Sequence, residues 1–235
     1  MNRMAVSNSI VLTWTAVVDS SEVLLSLPSR VTGLIVNDNS CNDLIDLDLS
    51  RFENVKNVEI GSNALKNIKN LTMNGLNELI RFGVGSGSLN GVEIMSIGSN
   101  SLNSISSFNF SLFSNVRRIE IGSRSMNNAT ALILDGLNEL DELNVGFESM
   151  TGVERVDIGS NSLNSISSFN FSLFSNVRRI EIGSRSMNNA TALILDGLNE
   201  LDELNVGFES MTGVERVDIG SNSLNSISSF DFSLF

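Results

Sequence analysis

The sequence predicts a mostly β protein, built as a single solenoid in which short parallel strands stack on two faces. Residues 97–157 recur letter for letter at 158–218, a period of 61 residues. Within that period, short segments rich in Val, Ile and Leu recur at steps of 24, 24 and 13 residues, and nearly every segment closes with glycine. Stacked structures need the same local shape at every level, so repeated short strands indicate a scaffold.

The first series of predicted strands has the form apolar-x-x-apolar-x-apolar. Ten such segments begin at Val31, Val55, Leu79, Val92, Val116, Leu140, Val153, Val177, Leu201 and Val214. Asn37 follows the first segment and glycine follows each of the others, from Gly61 to Gly220. Because these two residue types adopt positive φ most easily, we expect a left-handed bend at the end of each strand.

A second series of predicted strands lies eight residues before the first. Its members are VLL (Val23–Leu25), LDL (Leu47–Leu49), LTM (Leu71–Met73), FNF (Phe108–Phe110), LIL (Leu132–Leu134) and their copies. Alternate residues of a strand point to opposite sides, so the outer residues of each triplet face inward. The two series therefore predict two strand-bearing faces that enclose one continuous apolar core.

The segment VERVDIGSNSL (153–163) is similar to the leucine-rich-repeat pattern LxxLxLxxNxL. The residues that match its fixed positions are Val153, Val156, Ile158, Asn161 and Leu163. The 24-residue spacing, with apolar Phe110 and Phe113 six and three positions before Val116, resembles the BspA-like subclass. The resemblance implies a right-handed solenoid of about ten turns with short irregular or 3-10 connections and little α-helix. It also implies protein binding or surface adhesion, and an extracellular or cell-surface location.

The chain is predicted to consist of an N-terminal strand or cap region (1–22) and a solenoid (23–235). The solenoid comprises a diverged repeat (36–96), two identical repeats (97–157 and 158–218) and a partial copy (219–235). Ile10–Val17 loosely imitates a secretory signal but is interrupted by polar residues, so we interpret it as a first strand, with a removed peptide as the alternative. No segment has the roughly 20 apolar residues of a membrane-spanning helix, and we predict no membrane insertion.

The composition disfavours several functions. A net charge of −12 repels phosphate backbones, so we expect no nucleic-acid partner. The chain has no histidine and one cysteine, and its acidic residues lack calcium-loop spacing, so we predict no metal, cofactor or catalytic residue. Charged residues such as Arg124 and Glu148 occupy the asparagine slot of the pattern, which breaks any asparagine ladder. A serine recurs one residue later, and we expect it to satisfy the turn backbone and not to act as a nucleophile.

The 13-residue step leaves little chain for a whole solenoid turn. Only Gly146 to Gly152 remain for the return, a span of at most about 25 Å. A short parallel turn could recross a strand of that length, and an antiparallel hairpin is the alternative. In the parallel arrangement, one column of outward side chains would alternate in charge at four of five steps. That column is Arg118, Glu142, Arg155, Arg179, Glu203 and Arg216.

Charged side chains on these strands are the predicted protein-binding face. The candidates are Arg117, Arg118, Asp141, Glu142, Glu154, Arg155, Arg178 and Arg179. Solenoid sheets commonly present such surfaces to partners. The alternative is a solvated face whose opposite charges maintain register and solubility.

The last residues predict a second type of contact. The sequence stops at FDFSLF, where no following turn covers Phe230, Phe232 and Phe235. These side chains could dock on the N-terminal turn of another copy, at Val23, Leu25 and the 10–17 segment. Such a head-to-tail contact builds filaments when it does not close. The predicted partner is therefore either another protein or the chain itself, end to end.

Overall fold

The computed structural model describes residues 14–221 and 223–227, which form a β-solenoid of about eight turns. One strand series comprises β1 (Thr15–Val18), β2 (Gly33–Val36), β4 (Asn57–Ile60), β6 (Arg81–Val84), β8 (Ser107–Asn109), β10 (Ala131–Ile133), β12 (Arg155–Ile158), β14 (Arg179–Ile182) and β16 (Glu203–Val206). The other comprises β3 (Asp46–Asp48), β5 (Asn70–Met73), β7 (Ile94–Ile97), β9 (Arg118–Ile121), β11 (Glu142–Val145), β13 (Ser168–Asn170), β15 (Ala192–Ile194) and β17 (Arg216–Asp218). A helix α1 (Ser21–Ser26) and two 3-10 helices, η1 (Phe110–Leu112) and η2 (Phe171–Leu173), complete the described elements.

The two strand series form two faces. The even face contains the sheets β1-β2-β4-β6 and β8-β10-β12-β14-β16, and the odd face contains β3-β5-β7-β9-β11 and β13-β15-β17. Every pairing in these sheets is parallel, so the hairpin alternative is wrong for the described residues. From β2 onward, paired residues are 24 positions apart, as in Gly33 with Asn57. The predicted mostly β solenoid with parallel strands on two faces is confirmed.

The 13-residue step is half a turn and not a whole one. From β2 onward, strand starts are separated by 13 and 11 residues in alternation, with two successive steps of 13 once in every 61 residues. Each step carries the chain from one face to the other. The predicted ten turns are therefore corrected to about eight, because the strands that the sequence pattern placed in one column belong to two faces.

The predicted charge column is wrong for the same reason. Arg118 does pair with Glu142, on the odd face. Arg155 lies on the even face beside Arg179, so two residues of like charge are register partners there. The structure therefore shows two separate columns where the sequence pattern predicted one.

Identical sequences occupy opposite faces of the solenoid. One 61-residue repeat contains five strands, an odd number, so each new copy begins half a turn further on. The segment RIEI is β9 on the odd face, and its copy is β14 on the even face. Repeats 97–157 and 158–218 are thus related by a half turn combined with a shift along the solenoid axis.

Both faces contribute inward side chains to one apolar core. In most four-residue strands the second and fourth residues are buried, as Ile119 and Ile121 are in β9. Phe82 of β6 and Phe108 of β8 stack with ring centroids 5.6 Å apart, which connects the two sheets of the even face. The alternation predicted from the sequence is therefore confirmed, because inward residues of both strand series belong to the same buried cluster.

The strand-ending glycines serve a different purpose from the one predicted. A pentapeptide turn such as Gly122–Met126 follows each long strand, and positive φ occurs at its third and fifth residues, Arg124 (59°) and Met126 (56°). The first residue has no positive φ. A Cβ on Gly122 would instead lie 2.4 Å from the backbone N of Ser99, one turn away. Glycine is needed because adjacent turns approach closely there.

The fourth residue of the pentapeptide turns forms a buried serine ladder. Ser125 Oγ donates to the carbonyl oxygen of Gly98 at 2.7 Å and accepts from the backbone N of Ser101 at 3.1 Å. Its described and buried members are Ser40, Ser88, Ser101, Ser125, Ser149, Ser162, Ser186 and Ser210. These hydroxyls satisfy backbone groups in the core, where unpaired groups are costly.

The first turn differs from the sequence prediction. Val23–Leu25 was predicted as a strand, and this prediction is wrong, because these residues lie in α1. The N-cap Ser20 accepts from the backbone N of Val23 at 3.4 Å, and Glu22 lies in the first helical turn, both of which favour a helix start. The predicted first strand overlaps β1, and its residues 10–13 lie outside the described part of the chain.

Candidate protein-binding surfaces

The structure divides the eight predicted charged residues between two surfaces. The odd strip, on the odd face, contains Arg117, Arg118, Asp141 and Glu142 and also includes Lys69 and Glu93. The even strip, on the even face, contains Glu154, Arg155, Arg178 and Arg179 and also includes Glu181, Asp202 and Glu203. The sequence placed the eight together, whereas the half-turn relation between the repeats separates them into two groups of four.

Charges of alternating sign run along the odd strip. Lys69 Nζ lies 2.5 Å from Glu93 Oε1, and Arg117 lies 3.1 Å from Asp141. In the neighbouring column, Arg118 Nε lies 2.7 Å from Glu142 Oε2. The hydrogen bond from Lys69 lowers the pKa of Glu93 below its ordinary value. Each of these pairs joins adjacent turns, so the strip crosses four successive turns.

The even strip has a different arrangement of charges. Arg178 pairs with Asp202 at 2.8 Å, as its copy Arg117 does with Asp141. Beside them, Arg155 contacts Asp157 at 2.6 Å and Glu181 at 2.8 Å. The hydrogen bond to Asp157 raises the pKa of Arg155. The neighbours differ because the diverged repeat supplies the turn before the odd strip, whereas the first identical repeat supplies the turn before the even strip.

These strips are suited to recognition of a charged partner. The side chains of Arg117, Arg118 and Asp141 are about half exposed, so they can form further hydrogen bonds without leaving their pairs. Exposed ion pairs contribute little to stability, and electrostatic complementarity governs the rate and selectivity of association. The strips also keep neighbouring strands in register, as the solvated-face interpretation expects.

Two exposed phenylalanines were missed by sequence reasoning. Phe147 and Phe208 are 72% and 71% exposed and occupy the second slot of a pentapeptide turn. Other pentapeptide turns carry Asp38, Ser62, Ser86, Ser99, Ser123, Ser160, Ser184 and Ser221 in that slot. An aromatic residue in a slot otherwise held by small polar residues was a readable signal. Alignment of the turns, and not only of the strands, would have revealed it.

The predicted end-to-end residues are only partly described. Val23 is half-buried against the core, and Leu25 is 62% exposed on α1. Arg51 donates to the carbonyl oxygen of Leu25 at 2.8 Å, which ties the helix to the next turn. Phe230, Phe232 and Phe235 lie outside the described residues.

Groups capable of chemistry are engaged structurally in the described part of the chain. Burial raises the pKa of the Cys41 thiol, which disfavours the reactive thiolate. Among residues 14–221 and 223–227, His, Cys, Asp and Glu form no group of three or more that could hold a metal ion. The same residues include no helix with the length and apolar content needed to cross a bilayer.

Comparison with known proteins adds little beyond the architecture. No protein-family model and no curated protein matches the chain. Among solved structures, a leucine-rich-repeat protein of Leptospira interrogans is similar over 91% of this chain and 79% of its own, with 11% sequence identity and a TM-score of 0.18. At that score the two structures do not superimpose as one fold. The parallel solenoid itself is consistent with a leucine-rich-repeat type of protein.

Proposed function

We propose that this chain is a non-enzymatic protein-binding module of the leucine-rich-repeat type, BspA-like, which acts in adhesion at a cell surface through the odd strip. One observation carries the proposal: exposed charges of alternating sign cross four successive turns on an open sheet, from Lys69 to Asp141. A partner with a complementary row of charges could pair with several of them at once. The even strip presents a shorter row, from Glu154 through Arg178 to Asp202.

The test is binding to a panel of purified extracellular matrix and cell-surface proteins by surface plasmon resonance. The variant R117E/R118E reverses two charges of the odd strip. Its matched control, R178E/R179E, makes the same substitutions in an identical sequence on the even face. We expect the first variant to lose binding by tenfold or more and the control to retain it. Equal binding by both variants and the unchanged protein, or no binding to any probe, would contradict the proposal.

Salt provides an independent readout of the same site. Association through exposed charges weakens as ionic strength rises, because the Debye length falls from about 10 Å at 0.1 M to about 3 Å at 1 M. We expect the association rate to fall across that range. A rate that does not depend on salt would exclude the odd strip as the contact surface.

A second candidate function is end-to-end assembly into filaments. It is favoured by the exposure of Val17 in β1 and Leu25 in α1, both apolar residues of the first described turn. Either the Leu25→Asp variant or the paired change of Phe230 and Phe232 to Asp is expected to abolish fibres in negative-stain micrographs. Fibres that persist in both variants would exclude this contact.

A further inference from the structure

We propose that copies of this chain associate side by side through the turns that carry Phe147 and Phe208, and that the two turns, on opposite faces, extend this contact into an open array. The two turns are called the Phe corners, residues 146–150 and 207–211. The occupant of each corner is the same corner of a second copy. This contact is separate from the charged strips, so it goes beyond the proposed binding function.

The apolar character of each corner supports a buried contact. The Phe147 ring is exposed, although the polar serine of other turns would fit the same slot. The ring is held on a rigid turn, because the backbone N of Arg124 donates to the carbonyl oxygen of Phe147 at 2.9 Å and Ser149 is fixed in the buried serine ladder. A preorganised aromatic side chain loses little entropy when it docks, which makes it an effective anchor.

The charges around the ring identify a second copy as the occupant. Arg124 Nε lies 2.8 Å from Glu148 Oε2, and the same pair recurs as Arg185 and Glu209 at 2.8 Å. A corner thus presents one positive and one negative side chain beside one aromatic ring. When two such corners meet about a two-fold axis, each arginine faces the other copy's glutamate while the rings pack together. A surface that is its own complement is the requirement of an isologous contact.

The half-turn relation makes this contact repeat. Phe147 follows β11 on the odd face, and Phe208 follows β16 on the even face. At about 4.8 Å per turn, the two rings are offset by roughly 12 Å along the axis. A dimer formed through one corner leaves the other corner of each copy exposed on its far side. Growth therefore continues beyond two copies.

Net charge opposes this assembly and sets its salt dependence. Each chain carries −12, so copies repel one another at low ionic strength. Screening removes that repulsion while the apolar contact of the rings remains. Assembly through the Phe corners should thus strengthen with salt, whereas partner binding through the odd strip should weaken. The two proposals can therefore fail independently.

The test is light scattering on a size-exclusion column at 0.15 M and 0.5 M NaCl over a hundredfold range of protein concentration. We expect the unchanged chain, 25.4 kDa as a monomer, to gain mass beyond a dimer and to gain more at the higher salt. The Phe147→Ser and Phe208→Ser variants should each stop at about twice the monomer mass, and the double variant should remain a monomer. Serine is the residue of most other turns at that slot, so these variants retain a native-like turn.

Two further proteins separate this contact from other causes. Ile80→Lys removes an exposed apolar side chain elsewhere and copies Lys56 of the preceding turn, so it should assemble as the unchanged chain does. Deleting residues 97–157 joins Ser96 to Ile158, which repeats the natural Ser96–Ile97 junction, and leaves Phe208 alone, so mass should stop at a dimer. A monomeric unchanged chain, a double variant that still assembles, or single variants that stay monomeric would each overturn the proposal.

Discussion

The backbone N–H of Ser125 donates a hydrogen bond to the hydroxyl oxygen of Ser149, which lies 24 residues along the chain and 3.1 Å away. The same bond joins Ser101 to Ser125 and Ser162 to Ser186. A buried serine in one turn thus satisfies the backbone of the turn before it. Turn-to-turn contacts of this type determine whether a solenoid unfolds as one unit.

Replacing Ser125 with alanine should destabilise the fold. The change leaves the carbonyl of Gly98 and the N–H of Ser101 without their buried partner, at a cost of about 1–3 kcal/mol. Urea unfolding followed by circular dichroism would measure the shift in midpoint. Ser114→Ala, at an exposed serine of the same repeat, is the control and should unfold as the unchanged chain does. An unchanged midpoint for Ser125→Ala would show that the serine ladder does not couple the turns.

Two glycine substitutions should differ sharply in their effect. A Cβ on Gly122 meets backbone atoms of Ser99 and Gly98 within 2.6 Å, so Gly122→Ala forces adjacent turns apart. Gly136 has φ of 71° and nothing within 4 Å of its added Cβ, so Gly136→Ala costs only conformational strain, about 1–2 kcal/mol. We expect a clearly larger fall in the thermal unfolding midpoint for Gly122→Ala. Equal losses would mean that close approach is not the reason for this glycine.

Stability should fall only in acid. Hydrogen bonds from Lys69, Asn144 and Arg179 lower the pKa values of Glu93, Glu142 and Glu181 below their ordinary value of 4.5. A carboxylate with a lowered folded pKa stabilises the fold above its unfolded pKa, and this contribution is lost as pH falls through the lower folded value. The urea midpoint should thus stay level from pH 8 to 6, since the chain has no histidine, and decline below about pH 4.5. Glu142→Gln should decline less steeply, and a fall between pH 8 and 6 would contradict this account.

Removing one complete turn should be tolerated. Deleting residues 118–141 joins Arg117 to Glu142, its own register neighbour plus one, and keeps every later residue on its original face. Deleting residues 118–135 instead places Gly136 where a strand must begin. We expect the first protein to show a native β-type circular dichroism spectrum and the second to aggregate or to lose cooperative unfolding. Folding of both would show that the 24-residue register is not obligatory.

The sequence predicted most of the strands because their signal is local. Alternating apolar residues around Val58 or Ile119 suffice to identify a strand and its buried side. The face to which a strand belongs is not local, since it depends on counting half turns from the first strand onward. The 13-residue step therefore led to one charge column in place of two. Phe147 was missed because the turn slots were examined for glycine and serine and not for the residue that departs from them.

The odd number of strands in a repeat gives growth by duplication a parity. Each added 61-residue unit displays its side chains on the side opposite to its predecessor, and the original side returns with the second addition, about 24 Å further along at 4.8 Å per turn. Lengthening by one unit thus creates a new aspect of the molecule, whereas lengthening by two restores an old one at a fixed stride. Variants that differ by a single unit would then differ in handing a ligand to the left or to the right.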